Sequence, residues 1–310
     1  MKTLIAGVVS ILIMAVIFSR IDLGEFRQYV LDMNRGWFAA AVLFFVPQVL
    51  VSAYRWSVMV RHQVRISLWE STKLILAANA LNILLPSRVG DLSKAYFAGR
   101  HGKLEMKRGM NVVFFEKYID LASLGVVILT GIFFQKIWDQ PTLWGFGFSI
   151  FMIGIFPLLY FLNLGHHLSY SIFRKNRFLA KVKVFLEDTQ EYLDEIKGKP
   201  RELAWILAVS VFLWFLHLSQ FYLIFLALHS SVSVFNVFRL VPLAILVGLV
   251  PLTVAGVGTR DSAMIYFFAP YESVALVAGV GLFASLRYFV PGVLGLPFLN
   301  HYIVKKTAIS

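Results

Sequence analysis

The sequence predicts an all-α polytopic membrane protein, and three observations carry that reading. Hydrophobic residues make up 59% of the 310 and charged residues only 15%, against roughly 25% charged in an average soluble domain. Uncharged apolar runs recur along the chain, several near the about 20 residues that a helix needs to cross the hydrocarbon. Basic residues gather in particular connecting segments, the bias that marks cytoplasmic loops. In such a chain the net charge of +12 reads as loops facing anionic lipid and not as a nucleic-acid footprint. No cysteine is present, which excludes a disulfide framework, a thiol nucleophile and a cysteine metal site.

The first run, Leu4 to Phe18, lies between Lys2 and Arg20. No small-residue cleavage site follows it, so it reads as a spanning helix and not as a secretory signal. The second, Trp37 to Ala53, ends in Tyr54-Arg55-Trp56, an aromatic and cationic collar suited to the membrane interface. The third, Leu74 to Ser87, is too short to cross and contains Asn79, Asn82 and Pro86. Val89-Gly90-Asp91 and a second short apolar piece ending at Tyr96-Phe97-Ala98 follow it. Short interrupted runs suit a re-entrant hairpin that enters and leaves on one face.

Three long runs come next: Asn111 to Gln135, with Glu116, Lys117 and Asp120 near its start; Gln140 to Gly165; and Leu203 to Ala227, with His217 in mid-run. His217 reads as a histidine satisfied within the bundle. Residues 166–202 form the one sizeable polar insert, whose apolar positions Phe178, Leu179, Val182, Phe185, Leu186, Leu193 and Ile196 fall near helical spacing. That pattern fits an amphipathic helix lying on the membrane or packing under the bundle. A solvated connector fits it equally, and His166-His167 reads as interfacial.

Leu240 to Thr259 is long enough to span, yet Pro242, Gly248, Pro251, Gly256 and Gly258 interrupt it and Arg260-Asp261 follow at once. Proline removes a backbone donor and clashes with the preceding turn, so a straight helix is excluded and a second hairpin is expected. The last run, Val274 to Val304, carries Arg287 near its middle and Pro291, Gly292 and Pro297 beyond. A break near Arg287 that lets it reach water is the alternative to a functional charge there.

Charge bias orients the chain. Arg55, Arg61 and Arg65 after the second run, and Arg100, Lys103, Lys107 and Arg108 after the third, place both segments inside. Those two loops share a side only if the third run re-enters. The expected topology is about six spanning helices plus two oppositely oriented re-entrant hairpins forming an inverted repeat. Residues 1–310 would then be a single integral domain of the cell membrane with approximate halves 1–135 and 136–310. Both termini and the 166–202 insert are cytoplasmic, and the 20–36 loop lies outside.

The two broken segments echo each other: Pro86, Gly90, Asp91 and Tyr96-Phe97 against Pro251, Gly256 and Gly258, Asp261 and Tyr266-Phe267, with the same Asp-to-Tyr spacing. Paired interruptions in corresponding halves point to a transporter's binding site. Broken helices expose backbone groups that hydrocarbon cannot satisfy, so they must line a protein-buried or hydrated cavity. Helix N-termini there attract a phosphate, and Arg88, Arg260 and Arg287 add full positive charges. Asp91, Asp261, Glu116 and Asp120 would hold those arginines in the empty site, or exchange protons. A second reading makes Arg88, Lys94 and Arg260 headgroup-level markers that snorkel outward. Glu116 and Asp120, one turn apart, are equally open to a role as paired interfacial residues. Arg287 is the hardest to read so, because a charge deep in a span is costly.

Tyr54-Arg55-Trp56, Asn82-Ile-Leu-Leu-Pro86-Ser-Arg88-Val-Gly90-Asp91, Glu116-Lys117-x2-Asp120 and Pro251-Leu-Thr-Val-Ala-Gly256-Val-Gly258-Thr-Arg260-Asp261 resemble the flippase-like transmembrane domain of lysylphosphatidylglycerol synthases. Lys117 stands where that family has arginine, and Asp261 where it commonly has glutamate. The resemblance covers nearly the whole chain. It implies movement of a membrane lipid, either an anionic phospholipid or a polyprenyl-linked precursor, between leaflets. It also implies that the soluble aminoacyl-transfer domain of the full synthases is not part of this chain.

Two other functions stand beside that one: a membrane-embedded enzyme of lipid or glycolipid synthesis, and a partner that recruits a lipid-synthesis enzyme through the 166–202 insert. Against an enzyme, no Asp/His metal cluster, G-x-S-x-G or Walker A sequence is present, so no cofactor or catalytic residue is expected. Uphill transport would need an ion or proton gradient or a separate ATPase.

Overall fold

The computed structural model of the chain describes residues 2–84, 90–100, 104–167, 177–250, 253 and 256–304, and no strand occurs among them. Helices α1 (Lys2–Arg20) and α2 (Leu23–Leu31) open the chain. Gly7–Arg20 meets Leu23–Leu31 at 96°. The bend is fixed by Asp22, whose carboxylate accepts from the Gly24 and Glu25 amides and so satisfies donors that a helix start leaves open. α3 (Arg35–Leu43) and α4 (Phe45–Val60) follow almost without interruption. α5 (Leu68–Leu84) and α6 (Ser93–Arg100) pack on each other. Pro86 and Arg88, between them, lie outside the described residues.

α7 (Met106–Gln135) is 30 residues long, about 45 Å at the α-helical rise, and is the central post of the bundle. Its first half, including Val112, Phe115 and Ile119, packs into one apolar core with α4, α5, α6 and the insert. Its second half, from Leu124 to Ile132, packs into another with the helices of the C-terminal half. α8 (Gln140–Leu162) lies against it, as does α10 (Arg177–Ile196), the helix of the insert, and the short α9 (Leu164–His167) packs on α10 and α8. α10 packs under the bundle: Tyr192, Leu193 and Ile196 are buried, the Phe115 and Tyr192 rings are 4.6 Å apart, and the Tyr192 hydroxyl donates to the Met59 carbonyl at 2.8 Å. The solvated-connector reading is thereby set aside for this segment.

α11 (Pro200–Ala227) is followed by α12 (Val234–Gly248) and α13 (Thr259–Phe268), so the Leu240–Thr259 run is broken, as its prolines and glycines require. Gly90 in the first broken pair and Gly256, at φ +77°, in the second each bring their backbone against the helix before the break, where a Cβ would overlap a backbone carbonyl. α14 (Val274–Ala284) and α15 (Leu286–Val304) divide the last run at Ser285, two positions before Arg287. α15 lies along α5, and an added Cβ at Gly295 would overlap the Leu76 carbonyl.

Among the described residues four stretches, Arg35–Val60, Gln140–Leu162, Pro200–Ala227 and Val274–Asn300, are long and apolar enough to cross a bilayer; the bent pair at the start makes five if it is one span. The sequence reading expected about six. The two expected spans outside that set are α1, which forms the bent pair with α2, and α7.

Candidate functional site

α4 carries Gln48, Ser52 and Arg55 on one face, at helical spacings that stack side chains above one another. That polar stripe in an apolar helix turns inward, toward a cavity of about 150 Å³ at the centre of the bundle. Arg55 is not the interfacial collar its sequence neighbours suggest: its side chain is 3% exposed. Its guanidinium donates to Glu116 at 2.8 Å, to Asp120 at 2.6 Å and to the Ser210 hydroxyl at 3.1 Å. Glu116 and Asp120, one turn apart on α7, thus bracket one arginine from α4. Trp56 is also buried, and only Tyr54 of the collar is exposed, its hydroxyl accepting from the Trp205 indole at 2.9 Å.

The remaining charges are tied into the same cluster. Lys94, from α6, pairs with the second oxygen of Glu116 and lies 5.0 Å from the centre of the Trp56 ring. Lys117 pairs with Asp91 and stands 3.8 Å from Asp120. Asn82 of α5 donates to Asp91 at 2.9 Å. The first broken helix pair is therefore fastened to the central post by Lys94–Glu116 and Asp91–Lys117. In a medium that cannot solvate charge, each carboxylate is stable only because a cation touches it.

Arg287 reaches the cavity from α15. Its side chain is buried, with the guanidinium carbon 5.1 Å from the Phe221 ring centre and 4.7 Å from that of Tyr288. Cations over aromatic faces are held by the ring quadrupole, more strongly when desolvated. His217 also lines the cavity, its ring edge-on to Trp214 at 5.5 Å.

Of the residues singled out in the sequence, Asp91, Glu116, Asp120 and Arg287 meet at this cavity, and Arg88 lies outside the described residues. Arg260 and Asp261 were expected at the same site, and the structure places them behind its wall. Both are 1% exposed. Arg260 Nε donates to Asp261 at 2.8 Å, and its terminal nitrogen donates to the Gly281 carbonyl at 2.7 Å and to Ser285 at 3.1 Å. The other Asp261 oxygen accepts from the Gly258 amide at 2.9 Å. The pair is satisfied by itself, by the Gly258 amide and by Gly281 and Ser285, which hold Arg260 on that side of the bundle. It remains one ring away from the cavity: the Arg260 guanidinium lies 5.9 Å from the Phe221 ring that Arg287 covers.

Arg55, Lys94 and Lys117 were not among the site residues read from the sequence. A detectable signal existed for Arg55, namely the Gln48–Ser52–Arg55 stripe. A second buried hub also went unread: Arg239, 0% exposed, donates to Asp139 at 2.9 Å, Thr142 at 2.6 Å and Tyr271 at 2.8 Å. It pins α12 to the start of α8. Among the described residues no group of three His, Cys, Asp or Glu side chains is placed to hold a metal ion. Chemically, the cavity offers guanidinium and ammonium groups in a low-dielectric setting, the arrangement that binds an oxyanion.

A model of the lysylphosphatidylglycerol synthase TM region matches residues 3–295. The chain is 24% identical to a UPF0104 membrane protein of Methanothermobacter thermautotrophicus, over 86% of each chain. It is 23% identical to the UPF0104 membrane protein MJ1595 of Methanocaldococcus jannaschii, over 98% of this chain and 96% of that one. A second protein of that organism, UPF0104 membrane protein MJ1078, is 25% identical over 60% of this chain and 77% of its own.

Proposed function

The chain belongs to the lysylphosphatidylglycerol synthase TM-region family, and from that premise we propose that it moves an anionic lipid headgroup between the leaflets of the cell membrane. The observation that carries the proposal is the cluster of charges around the cavity, in which Arg55, Lys94, Glu116 and Arg287 are buried and Lys117 and Asp120 are partly exposed. Charges are kept inside a membrane domain, against their desolvation cost, mainly where they bind or conduct something charged. The family's name ties the fold to a phospholipid, and the cavity supplies the matching chemistry.

In this reading the two broken pairs, α5 with α6 and α12 with α13, are re-entrant hairpins of opposite orientation. The first carries Asp91 and Lys94 to the headgroup. The second supports Arg287 from behind through Arg260 and Phe221. The headgroup phosphate exchanges with Glu116 and Asp120 for the arginine and lysine donors. The ion pairs of the empty site are thereby replaced and not simply lost.

The test is reconstitution of the purified chain into liposomes carrying a fluorescent lipid, with an impermeant quencher to score leaflet exchange. Exchange above protein-free vesicles is expected. Arg287→Leu should abolish it while the protein still inserts and folds. Arg287→Lys should keep only part, since a point charge does not reproduce the guanidinium fork. Full exchange by Arg287→Leu would overturn the role given to that residue, and chemical turnover of the lipid without exchange would turn the reading to an enzyme.

A further inference from the structure

Arg260 and Asp261 do not line the cavity, yet the fold is shaped to hold them. An added Cβ at Gly281 would meet the Asp261 carboxylate at 2.7 Å, and one at Gly248 would meet the Arg260 Cβ at 2.9 Å. What the pair grips is a joint. The Arg260 guanidinium donates to the Gly281 carbonyl at 2.7 Å and to the Ser285 hydroxyl at 3.1 Å, and Ser285 donates in turn to that carbonyl at 3.2 Å. Ser285 is the residue between α14 and α15, and Arg287 is the second residue of α15. A further link runs through the buried Phe221 of α11, whose ring centre lies 5.9 Å from the Arg260 guanidinium and 5.1 Å from that of Arg287.

Resting on the transport reading above, we infer that Arg260 is a positioning residue: by holding the α14–α15 joint at Ser285 and the face of Phe221, it sets where the Arg287 guanidinium stands in the cavity, without touching the ligand itself. A buried ion pair gives little net stability over a well-packed apolar replacement; what this one gives is a fixed direction for the start of α15. The planar fork suits that task. One guanidinium serves the Asp261 carboxylate, the Gly281 carbonyl and the Ser285 hydroxyl from set angles, and a guanidinium also meets an aromatic face well. A lysine keeps the charge but not the fork. The second broken pair thereby acts on a cavity it does not line: a shift of α13 against α14 moves the joint, and the joint carries Arg287.

The experiment is a double-variant cycle on the full chain with Arg260→Lys, Arg287→Lys and the two combined. It is read by leaflet exchange in liposomes and, independently of transport, by melting in detergent. Residues that share partners couple, whereas separate ones add. Arg260→Lys should lower exchange about tenfold in the parent but less than about twofold once residue 287 is lysine. The melting losses of the two single variants should sum to about 3 °C more than that of the double variant. Ser285→Ala should show the same coupling at smaller size, and it carries the cycle if Arg260→Lys does not fold. Arg239→Lys is the control for a purely structural arginine: it is equally buried, its partners Asp139, Thr142, Asn236 and Tyr271 lie elsewhere, and it should add to Arg287→Lys in both readouts. Additive effects of Arg260→Lys or Ser285→Ala on exchange, or coupling of the same size with Arg239→Lys, overturn this inference alone. A parent that exchanges no lipid overturns the transport reading beneath it, and the melting cycle then decides by itself whether Arg260 and Arg287 are coupled.

Discussion

Arg55→Met removes the cation that touches both Glu116 and Asp120 while keeping most of the side chain's volume. The two contacts, at 2.8 and 2.6 Å, are each worth roughly 6 kcal/mol before desolvation at an effective dielectric constant of about 20. Desolvation offsets much of that gain, so the informative quantity is the cost of leaving the carboxylates behind. Removing one partner of a buried pair costs about 3–5 kcal/mol. Glu116 retains Lys94, and Asp120 retains Lys117 at 3.8 Å, which puts the loss at the low end, about 3 kcal/mol. At about 2–4 °C per kcal/mol for a chain of a few hundred residues, Tm should fall by roughly 6–12 °C. The assay is thermal unfolding of the detergent-purified protein followed by tryptophan fluorescence. Arg55→Met combined with Asp120→Asn restores the charge balance and should recover most of the loss. A single variant melting within about 1 °C of the parent, or a double variant no more stable than the single, would refute the reasoning.

Three further outcomes are expected. Gly295→Val should push α15 off the Leu76 carbonyl and lower the yield of folded protein sharply, whereas the substitution Gly147→Ala, at a position with open space around it, should leave the melting curve unchanged. Burial pushes the Glu191 carboxyl up, but hydrogen bonds from Lys107 and Asn111 more than offset this and hold it below its ordinary 4.5. A depressed carboxyl stabilises fully above its unfolded value and loses that contribution as pH falls through the folded one. Hydrogen exchange in 177–196 should therefore rise on acidification below 4.5, and exchange that is flat down to pH 3 would contradict the assignment. Because the chain has no cysteine, Arg27→Cys and Glu105→Cys report sidedness directly: an impermeant maleimide added to intact cells should label the first and spare the second, and labelling at 105 would overturn the orientation.

The membrane class and the broken segments were legible because they depend on composition and on proline and glycine, both local properties. Glu116, Asp120, Asp91 and Arg287 were legible as a group because a charge inside an apolar run is conspicuous wherever it sits. The role of Arg55 was hidden by its neighbours: an aromatic on each side suggests an interface, yet only Tyr54 is exposed and Trp56 is buried. Periodicity, and not adjacency, would have found it, through Gln48 and Ser52 on the same face. Arg260 and Asp261 show the converse. Their likeness to the Arg88–Asp91 segment was sequential, whereas their destination was set by partners on α14 that no spacing rule reveals. Lys94 and Lys117 were noticed as charges but not as partners, since pairing across helices is a property of the packed bundle.

The seam between α5 and α15 has a mechanical consequence. Where Gly295 lets one backbone rest on the other, there is no side-chain layer to slide or repack, so these helices translate together as a rigid strut. Any motion that alternates the cavity between the two water compartments must then be taken up elsewhere. The joints able to yield are the ones made of exchangeable ion pairs, where an arriving anion can substitute for a carboxylate without leaving a charge bare. Arg55 on Glu116 and Asp120, and Lys117 on Asp91, are such joints. On the transport proposal, the strut would fix the axis and the arriving headgroup would loosen the hinge.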